Sequence, residues 1–146
     1  MPIHNADTAA IFTEIADLLE IQAANPFRVR AYRNAARMLS ELPFEIKSAI
    51  DRGEDLTALP GIGEDLAGKI REIGATGKCA LLERLHRELP PAITEMLKIP
   101  GLGPKRVSAL YHDLDVQTPE QLARAARDGR IRNVPGFGEK TEQRIL

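Results

Sequence analysis

The chain has 146 residues, of which 43% are hydrophobic and 28% charged, a composition typical of globular proteins rather than disordered ones. Its apolar runs are too short to span a bilayer, and its N-terminus lacks the basic start and apolar stretch of a signal peptide. The single cysteine, Cys79, excludes an internal disulfide framework, so we expect a cytoplasmic protein without membrane contact.

The formal net charge is −1, which by itself argues against a strongly basic nucleic-acid binder. The charges are nevertheless segregated. Residues 1–20 hold four acids and no Lys or Arg, whereas residues 21–37 hold only basic charges, namely Arg28, Arg30, Arg33 and Arg37. Local basic patches can bind phosphate at zero net charge, although solvated helix faces are the simpler explanation of charge alone.

Helical periodicity runs through the chain, and no long segment alternates apolar and polar residues, so the sequence predicts an all-α fold. A first helix follows Ile11 to Leu19, with Asp7 or Thr8 as its N-cap. A second covers Ala31 to Leu39 and ends before Pro43, and a short third covers 44–52. Further helices are predicted near 64–74, 79–88, 91–97, 104–112, 119–128 and 139–146, the fifth of these capped by Thr118.

One pattern, apolar-Pro-Gly-apolar-Gly, occurs three times. The copies are Leu59-Pro60-Gly61-Ile62-Gly63, Ile99-Pro100-Gly101-Leu102-Gly103 and Val134-Pro135-Gly136-Phe137-Gly138, here called hairpins 1, 2 and 3. A helical pattern follows each copy. The Pro90-Pro91 pair marks a break between two helical units.

The residue types of the hairpin suit a phosphate clamp. The first glycine can adopt a positive φ and turn the chain, and the second leaves room for a phosphate to approach the backbone. The apolar residue between them points inward. The next helix then presents free N–H groups and its positive dipole end to an anion, a contact that carries no base-sequence information. The plain alternative is a tight helix corner that merely needs glycine.

The repeat resembles the helix-hairpin-helix motif, whose main-chain carbonyls often hold a monovalent cation, Na⁺ or K⁺, that touches a DNA phosphate. By position, the resemblance implies the carbonyls of Thr57, Leu59 and Ile62 in hairpin 1 and of Leu97, Ile99 and Leu102 in hairpin 2. DNA contacts are implied at Gly61 and Gly63, at Gly101, Gly103, Lys105 and Arg106, and at Gly136, Gly138 and Lys140. The role of hairpin 3 stays open.

Two longer segments, 25–36 and 59–78, resemble the N-terminal part of the family X DNA polymerases, the gap-filling enzymes of base excision repair, in their bacterial branch. The resemblance implies a lyase-type domain at 1–80 and a fingers or thumb subdomain at 81–146. It also implies that the chain is a monomeric fragment that binds gapped or nicked DNA with a 5′-phosphate. The polymerase proper, a nucleotidyltransferase, would lie in a palm domain with divalent metals beyond this fragment.

The same resemblance suggests a 5′-phosphate pocket lined by Arg28, Tyr32 and Arg33, with Phe27 where polymerase beta stacks a histidine on DNA. Lys69 falls at the position of the Schiff-base nucleophile in lyase-active members; a plain phosphate contact is the alternative. Asp65 and Leu81 stand where polymerase beta has phosphate-binding lysines.

Three functions therefore remain open from the sequence: a DNA-binding fragment without catalysis, an abasic-site lyase acting through Lys69, and a helical protein-interaction module.

Overall fold

The computed structural model describes residues 3–99 and 101–134 together with Phe137 and Gln143. In this part of the chain the secondary structure is helical throughout and contains no strand, so the predicted all-α fold is confirmed. The α-helices described are α1 (Asn5–Ile21), α2 (Pro26–Glu41), α3 (Ile46–Asp51), α4 (Glu64–Thr76), α5 (Ala80–Glu88), α6 (Pro91–Met96), α7 (Pro104–Leu114) and α8 (Pro119–Arg127). Short 3-10 helices at Leu56–Ala58 and Ile131–Asn133 lead into hairpins 1 and 3.

The chain forms two compact units. The first comprises the residues up to Asp17 together with Asn25–Leu85, and the second comprises Leu18–Ala24 together with the residues from His86 onward. The division predicted between residues 80 and 81 stays a prediction. None of the helices in the described ranges is both long enough and apolar enough to cross a membrane.

In the first unit, Asn5 fastens the start of α1 to the start of α3. Its side-chain amide donates to the Phe44 carbonyl at 2.7 Å, and its Oδ1 accepts from the Ile46 N–H at 2.7 Å. Helix α1 begins at Asn5, so the prediction of an N-cap at Asp7 or Thr8 is wrong. Asp7 lies inside the first turn instead, where its Oδ2 accepts from the His4 N–H at 2.9 Å.

The core of the first unit is built from the inward faces of α1 to α5. The ring of Phe12 meets that of Tyr32 edge to face, with 5.4 Å between the centroids. Each large apolar side chain that is fully buried stabilises the fold by about 1.5–3 kcal/mol relative to an exposed one. Those at or below 1% exposure are Phe12, Ile15, Tyr32, Leu39, Leu56, Ile70, Ile73 and Leu85.

In the second unit, α7 is joined to the residues that follow Asp17. The Ile21 carbonyl accepts from the Ser108 hydroxyl at 3.1 Å and lies 2.7 Å from Nε2 of His112. The large apolar residues at or below 1% exposure here are Leu18, Leu19, Ile21, Ile93, Met96, Val107, Leu110, Leu122 and Ile131.

Local sequence signals placed most other boundaries well. Thr118 caps α8 as predicted, its Oγ1 accepting from the Gln121 N–H at 3.1 Å. Helix α2 ends at Glu41, before Pro43, as predicted. Helix α3 is shorter than the predicted 44–52, and a left-handed Gly53 follows it at φ 71°. Of the segment predicted as helix at 139–146, only Gln143 is among the described residues, so that helix stays a prediction.

Candidate nucleic-acid interface

Hairpins 1 and 2 share one backbone conformation. Their first glycines, Gly61 and Gly101, have φ of 77° and 89°, in the left-handed region that glycine occupies without steric cost. Their second glycines, Gly63 and Gly103, are extended, with φ of −91° and −82°. A Cβ added at any of the four would meet no atom of the described residues within 4 Å. The second glycines are therefore needed neither for backbone strain nor for packing, and each leaves an open surface.

The same turn hydrogen bond closes all three copies. The N–H of the middle apolar residue donates to the carbonyl of the apolar residue before the proline. This bond joins Ile62 to Leu59 at 3.2 Å, Leu102 to Ile99 at 3.0 Å and Phe137 to Val134 at 3.0 Å. The middle residues are buried, at 4%, 3% and 8% exposure, as predicted. The predicted contacts at Gly136, Gly138 and Lys140 lie outside the described residues.

The helices that follow hairpins 1 and 2 begin without a side-chain cap. Gly63 and Gly103 occupy the N-cap positions of α4 and α7, and neither supplies a capping hydrogen bond. By contrast, Asn25 caps α2 and Thr118 caps α8. Because the first-turn N–H groups of a helix have no intrahelical partner, the open ends of α4 and α7 suit an anionic ligand.

The carbonyls expected to hold a cation lie in these turns. Those of Leu59 and Ile99 each accept the turn hydrogen bond, and a carbonyl oxygen has a second lone pair for another ligand. The described residues contain no group of three or more His, Cys, Asp or Glu that could hold a metal ion. An ion at either hairpin would therefore be held by main-chain oxygen, which suits hard monovalent cations better than transition metals.

The two basic residues after hairpin 2 differ in their surroundings. Lys105 is exposed. Arg106 is half-buried, donates from Nη1 to the Gly101 carbonyl at 2.8 Å, and lies with its guanidinium carbon 5.5 Å from the centroid of Phe137. Arg106 thus stabilises the turn, whereas Lys105 is free to extend into solvent, and the predicted phosphate contacts of both residues stay predictions.

The first turn of α2 presents an aromatic ring beside positive charge. The Asn25 side chain accepts from the Phe27 N–H at 2.9 Å, which fixes the start of the helix. Phe27 is 75% exposed, and the Arg30 guanidinium carbon lies 4.7 Å from its ring centroid. Arg28 is exposed on the same turn. An exposed ring of this kind can stack on an unpaired base.

Arg33 has a different environment from Arg28. Its Nη1 lies 2.9 Å from Oδ1 of Asp17, an ion pair that joins α2 to α1. The sequence-based grouping of Arg33 with the phosphate pocket did not foresee this pair, since Asp17 lies 16 residues away on another helix.

Lys69 lies between an exposed acid and a buried phenol. Its Nζ is 2.6 Å from Oδ1 of Asp65, one turn earlier on α4. Burial by itself would lower the pKa of Lys69, but the hydrogen bond to Asp65 and the influence of Tyr32 outweigh it and raise that pKa above its usual value. The ammonium form is thus favoured over the neutral amine.

Tyr32 completes this cluster from the inside. Its side chain is 1% exposed, and within the described residues its buried hydroxyl has no hydrogen bond of good geometry, although Lys69 is close enough to interact with it. Burial raises the pKa of this hydroxyl, an effect that the charges of Lys69 and Arg28 partly offset. Lys69, Asp65 and Arg28 are thus all close enough to Tyr32 to influence its hydroxyl, and the 5′-phosphate pocket at these residues stays a prediction.

Comparison with known proteins gives two family matches. The family described as "Helix-hairpin-helix domain" matches residues 3–79, more than half of the chain. The chain belongs to the helix-hairpin-helix family. The family described as "SAM-like Helix-hairpin-helix tandem" matches residues 93–146, which include hairpins 2 and 3.

The names of individual relatives refer to a DNA polymerase and to the Holliday junction. The DNA polymerase/3'-5' exonuclease PolX of Bacillus subtilis is 34% identical over 99% of the chain, which confirms the predicted resemblance to family X polymerases. The chain spans only 25% of that protein. The Holliday junction branch migration complex subunit RuvA of Paraburkholderia phymatum is 31% identical over 60% of the chain and 46% of its own length. RuvA of Delftia acidovorans is 34% identical over 38% and 29%.

Proposed function

We propose that this chain binds DNA through the phosphate backbone, without reading base sequence, as the DNA-holding part of a family X repair polymerase. Its substrate would be gapped or nicked duplex, bound by a monomer, with the 5′-phosphate side at the first unit. A cytoplasmic location belongs to the same proposal. The whole protein would carry the polymerase activity, in keeping with the name of the 34% identical relative from Bacillus subtilis.

The observation that carries this proposal is the repetition of one open backbone geometry. Hairpins 1 and 2 each combine a left-handed glycine, an unobstructed second glycine and an uncapped helix start. A packing motif alone would need the first glycine but not the second, because a Cβ at Gly63 or Gly103 would meet no neighbour in the part of the chain that the structure describes. Close approach of a phosphate to the main chain explains why both positions are glycine.

Monovalent cations fit the same geometry. We expect Na⁺ or K⁺ at the carbonyls of each hairpin, where the ion would neutralise part of the phosphate charge. Around this main-chain site, Arg28, Lys69 and Lys105 would add direct side-chain contacts to phosphate, and Phe27 would stack on a base beside the gap.

For Lys69 we favour the phosphate contact over the lyase nucleophile. A Schiff-base lysine must lose its proton to attack a sugar carbon, and pairing with Asp65 holds the proton on. Borohydride treatment of the chain with an incised abasic duplex at neutral pH should therefore give little covalent adduct. A strong adduct that is lost in Lys69→Ala would establish the lyase instead.

Fluorescence anisotropy with a labelled gapped duplex, in a salt series, tests the binding proposal. With about three to five phosphates neutralised, raising salt from about 50 to 200 mM should weaken binding by roughly 40- to 500-fold. Duplexes of unrelated base sequence should bind alike. Absence of binding at low salt, or strong preference for one base sequence, would contradict the proposal.

A further inference from the structure

The three hairpins differ in charge at one equivalent position. The second residue after the second glycine is Asp65 in hairpin 1, Lys105 in hairpin 2 and Lys140 in hairpin 3. Asp65 and Lys105 are both exposed in the first turn of the following helix. Because hairpins 1 and 2 share one backbone conformation, the chain holds an acid on hairpin 1 where hairpin 2 holds a base.

Asp65 engages the cation that an anionic ligand would need. Its carboxylate is 75% exposed and reaches the Lys69 ammonium at 2.6 Å, while the Lys69 side chain is only 18% exposed. The half-buried ammonium is thus engaged by an acid that is itself largely in solvent. A phosphate that approaches Lys69 from solvent has to displace this carboxylate or share the ammonium with it.

The surroundings of the pair point to an anion site rather than a simple surface ion pair. Within the described residues the buried Tyr32 hydroxyl has no hydrogen bond of good geometry, and Lys69, Asp65 and Arg28 are close enough to act on it electrostatically. A buried hydroxyl without a well-formed hydrogen bond is costly, and a phosphate oxygen bound beside Lys69 would give it an acceptor.

We propose that Asp65 is a specificity-determining residue that competes with the DNA 5′-phosphate for Lys69. The inference rests on the DNA binding proposed above and concerns which phosphates the first unit accepts. A terminal phosphate monoester carries a charge of about −1.5 to −2 at neutral pH, whereas a backbone diester carries −1. Repulsion by Asp65 is therefore larger for the terminal group. Asp65 lowers the preference of hairpin 1 for phosphorylated ends and leaves binding of the continuous backbone less affected.

The test compares two gapped duplexes that differ only at the 5′ end in the gap, which carries either a phosphate or a hydroxyl. The intact chain and its Asp65→Asn variant are titrated with each duplex at one salt concentration. Removing the competing carboxylate should raise the preference for phosphate over hydroxyl by roughly tenfold, the size of one charge-assisted hydrogen bond. Asp65→Lys, which installs the residue type of hairpins 2 and 3, should raise it further.

Two control variants separate this effect from a general loss of negative charge. Asp51→Asn removes the acid of a similar ion pair in the same unit, in which Oδ1 of Asp51 lies 3.1 Å from Nζ of Lys47, one helical turn earlier. Glu64→Gln removes the neighbouring acid in the same first turn of α4. Asp51→Asn should leave the ratio of the two affinities unchanged, and Glu64→Gln should change it less than Asp65→Asn does, because the Lys69 ammonium is paired with Asp65.

A double-mutant cycle tests whether Lys69 is the residue for which Asp65 and the 5′-phosphate compete. In the Lys69→Gln background, Asp65→Asn should no longer change the phosphate preference. If Asp65→Asn leaves the ratio unchanged in the native background, or changes it no more than Asp51→Asn, the competition is refuted although DNA binding stands. If neither duplex binds the native chain, both this inference and the proposed function fail.

Discussion

Replacing Tyr32 by Phe should stabilise the free protein and weaken its hold on DNA. The ring would keep its packing against Phe12, at 5.4 Å between centroids, so the change removes only the hydroxyl. Within the described part of the chain that hydroxyl is buried without a hydrogen bond of good geometry, and a buried hydroxyl left wholly unpaired costs about 1–3 kcal/mol. The nearby Lys69 ammonium recovers part of this cost through its charge. We therefore expect a net gain of about 0.5–1 kcal/mol in the free energy of unfolding.

Urea denaturation measures this gain as a free energy of unfolding, and thermal unfolding measures it as a Tm, both followed by far-UV circular dichroism. A chain of this size should show a rise in Tm of about 2–4 °C for each kcal/mol. The matched control is Tyr111→Phe, because Tyr111 is the other tyrosine, is half-exposed and stacks on His112, and its hydroxyl should contribute little. In DNA titrations, Tyr32→Phe should lose several-fold in affinity for a 5′-phosphorylated gap. A destabilisation of more than about 1 kcal/mol would refute the reasoning, since it would mean that the hydroxyl is satisfied in the free protein.

Further variants test the local structure. Thr118→Ala should lower the stability of the second unit by about 1 kcal/mol through loss of the α8 cap, while Thr118→Ser keeps it; an equal Tm for both would contradict the cap. Gly101→Ala should cost about 1–2 kcal/mol because of its positive φ, whereas Gly103→Ala should fold almost normally, and equal denaturation midpoints would contradict this difference. Burial raises the pKa of the Cys79 thiol, so its thiolate fraction at neutral pH is lower than in the unfolded chain. Alkylation by iodoacetamide should be slow in buffer, faster with rising pH and fastest in urea; equal rates in buffer and urea would contradict the burial.

The features that the sequence predicted well are those encoded within a few residues. The hairpin glycines predict a turn with an open backbone, because glycine adopts a positive φ without steric cost and carries no side chain. The apolar type of the residue between them predicts its burial. The cap at Thr118 rests on a contact three residues long. The Asp65–Lys69 pair was not predicted but could have been, since an acid four residues before a lysine on a helix forms such pairs. What was missed was its consequence for the protonation of Lys69.

The features that escaped prediction depend on residues distant in sequence. Asn5 binds Phe44 and Ile46 about 40 residues away, and Arg33 is held by Asp17 of another helix. The buried, unpartnered hydroxyl of Tyr32 depends on how α2 packs, which no periodicity specifies. Likewise, the hydrogen bond from Arg106 to the Gly101 carbonyl could not be predicted, because it depends on the folded conformation of the turn in hairpin 2.

The most direct test of the account is the DNA affinity of a Gly63→Ala, Gly103→Ala double variant. Both glycines have negative φ and open surroundings, so the variant should keep its circular dichroism spectrum and nearly its Tm. Gly68→Ala, at an equally open position inside α4, is the control. If phosphates approach the main chain at the hairpins, the double variant should bind gapped duplex at least about tenfold more weakly than the control, since contacts to two charged groups are impaired. Native affinity in a folded double variant would contradict the account.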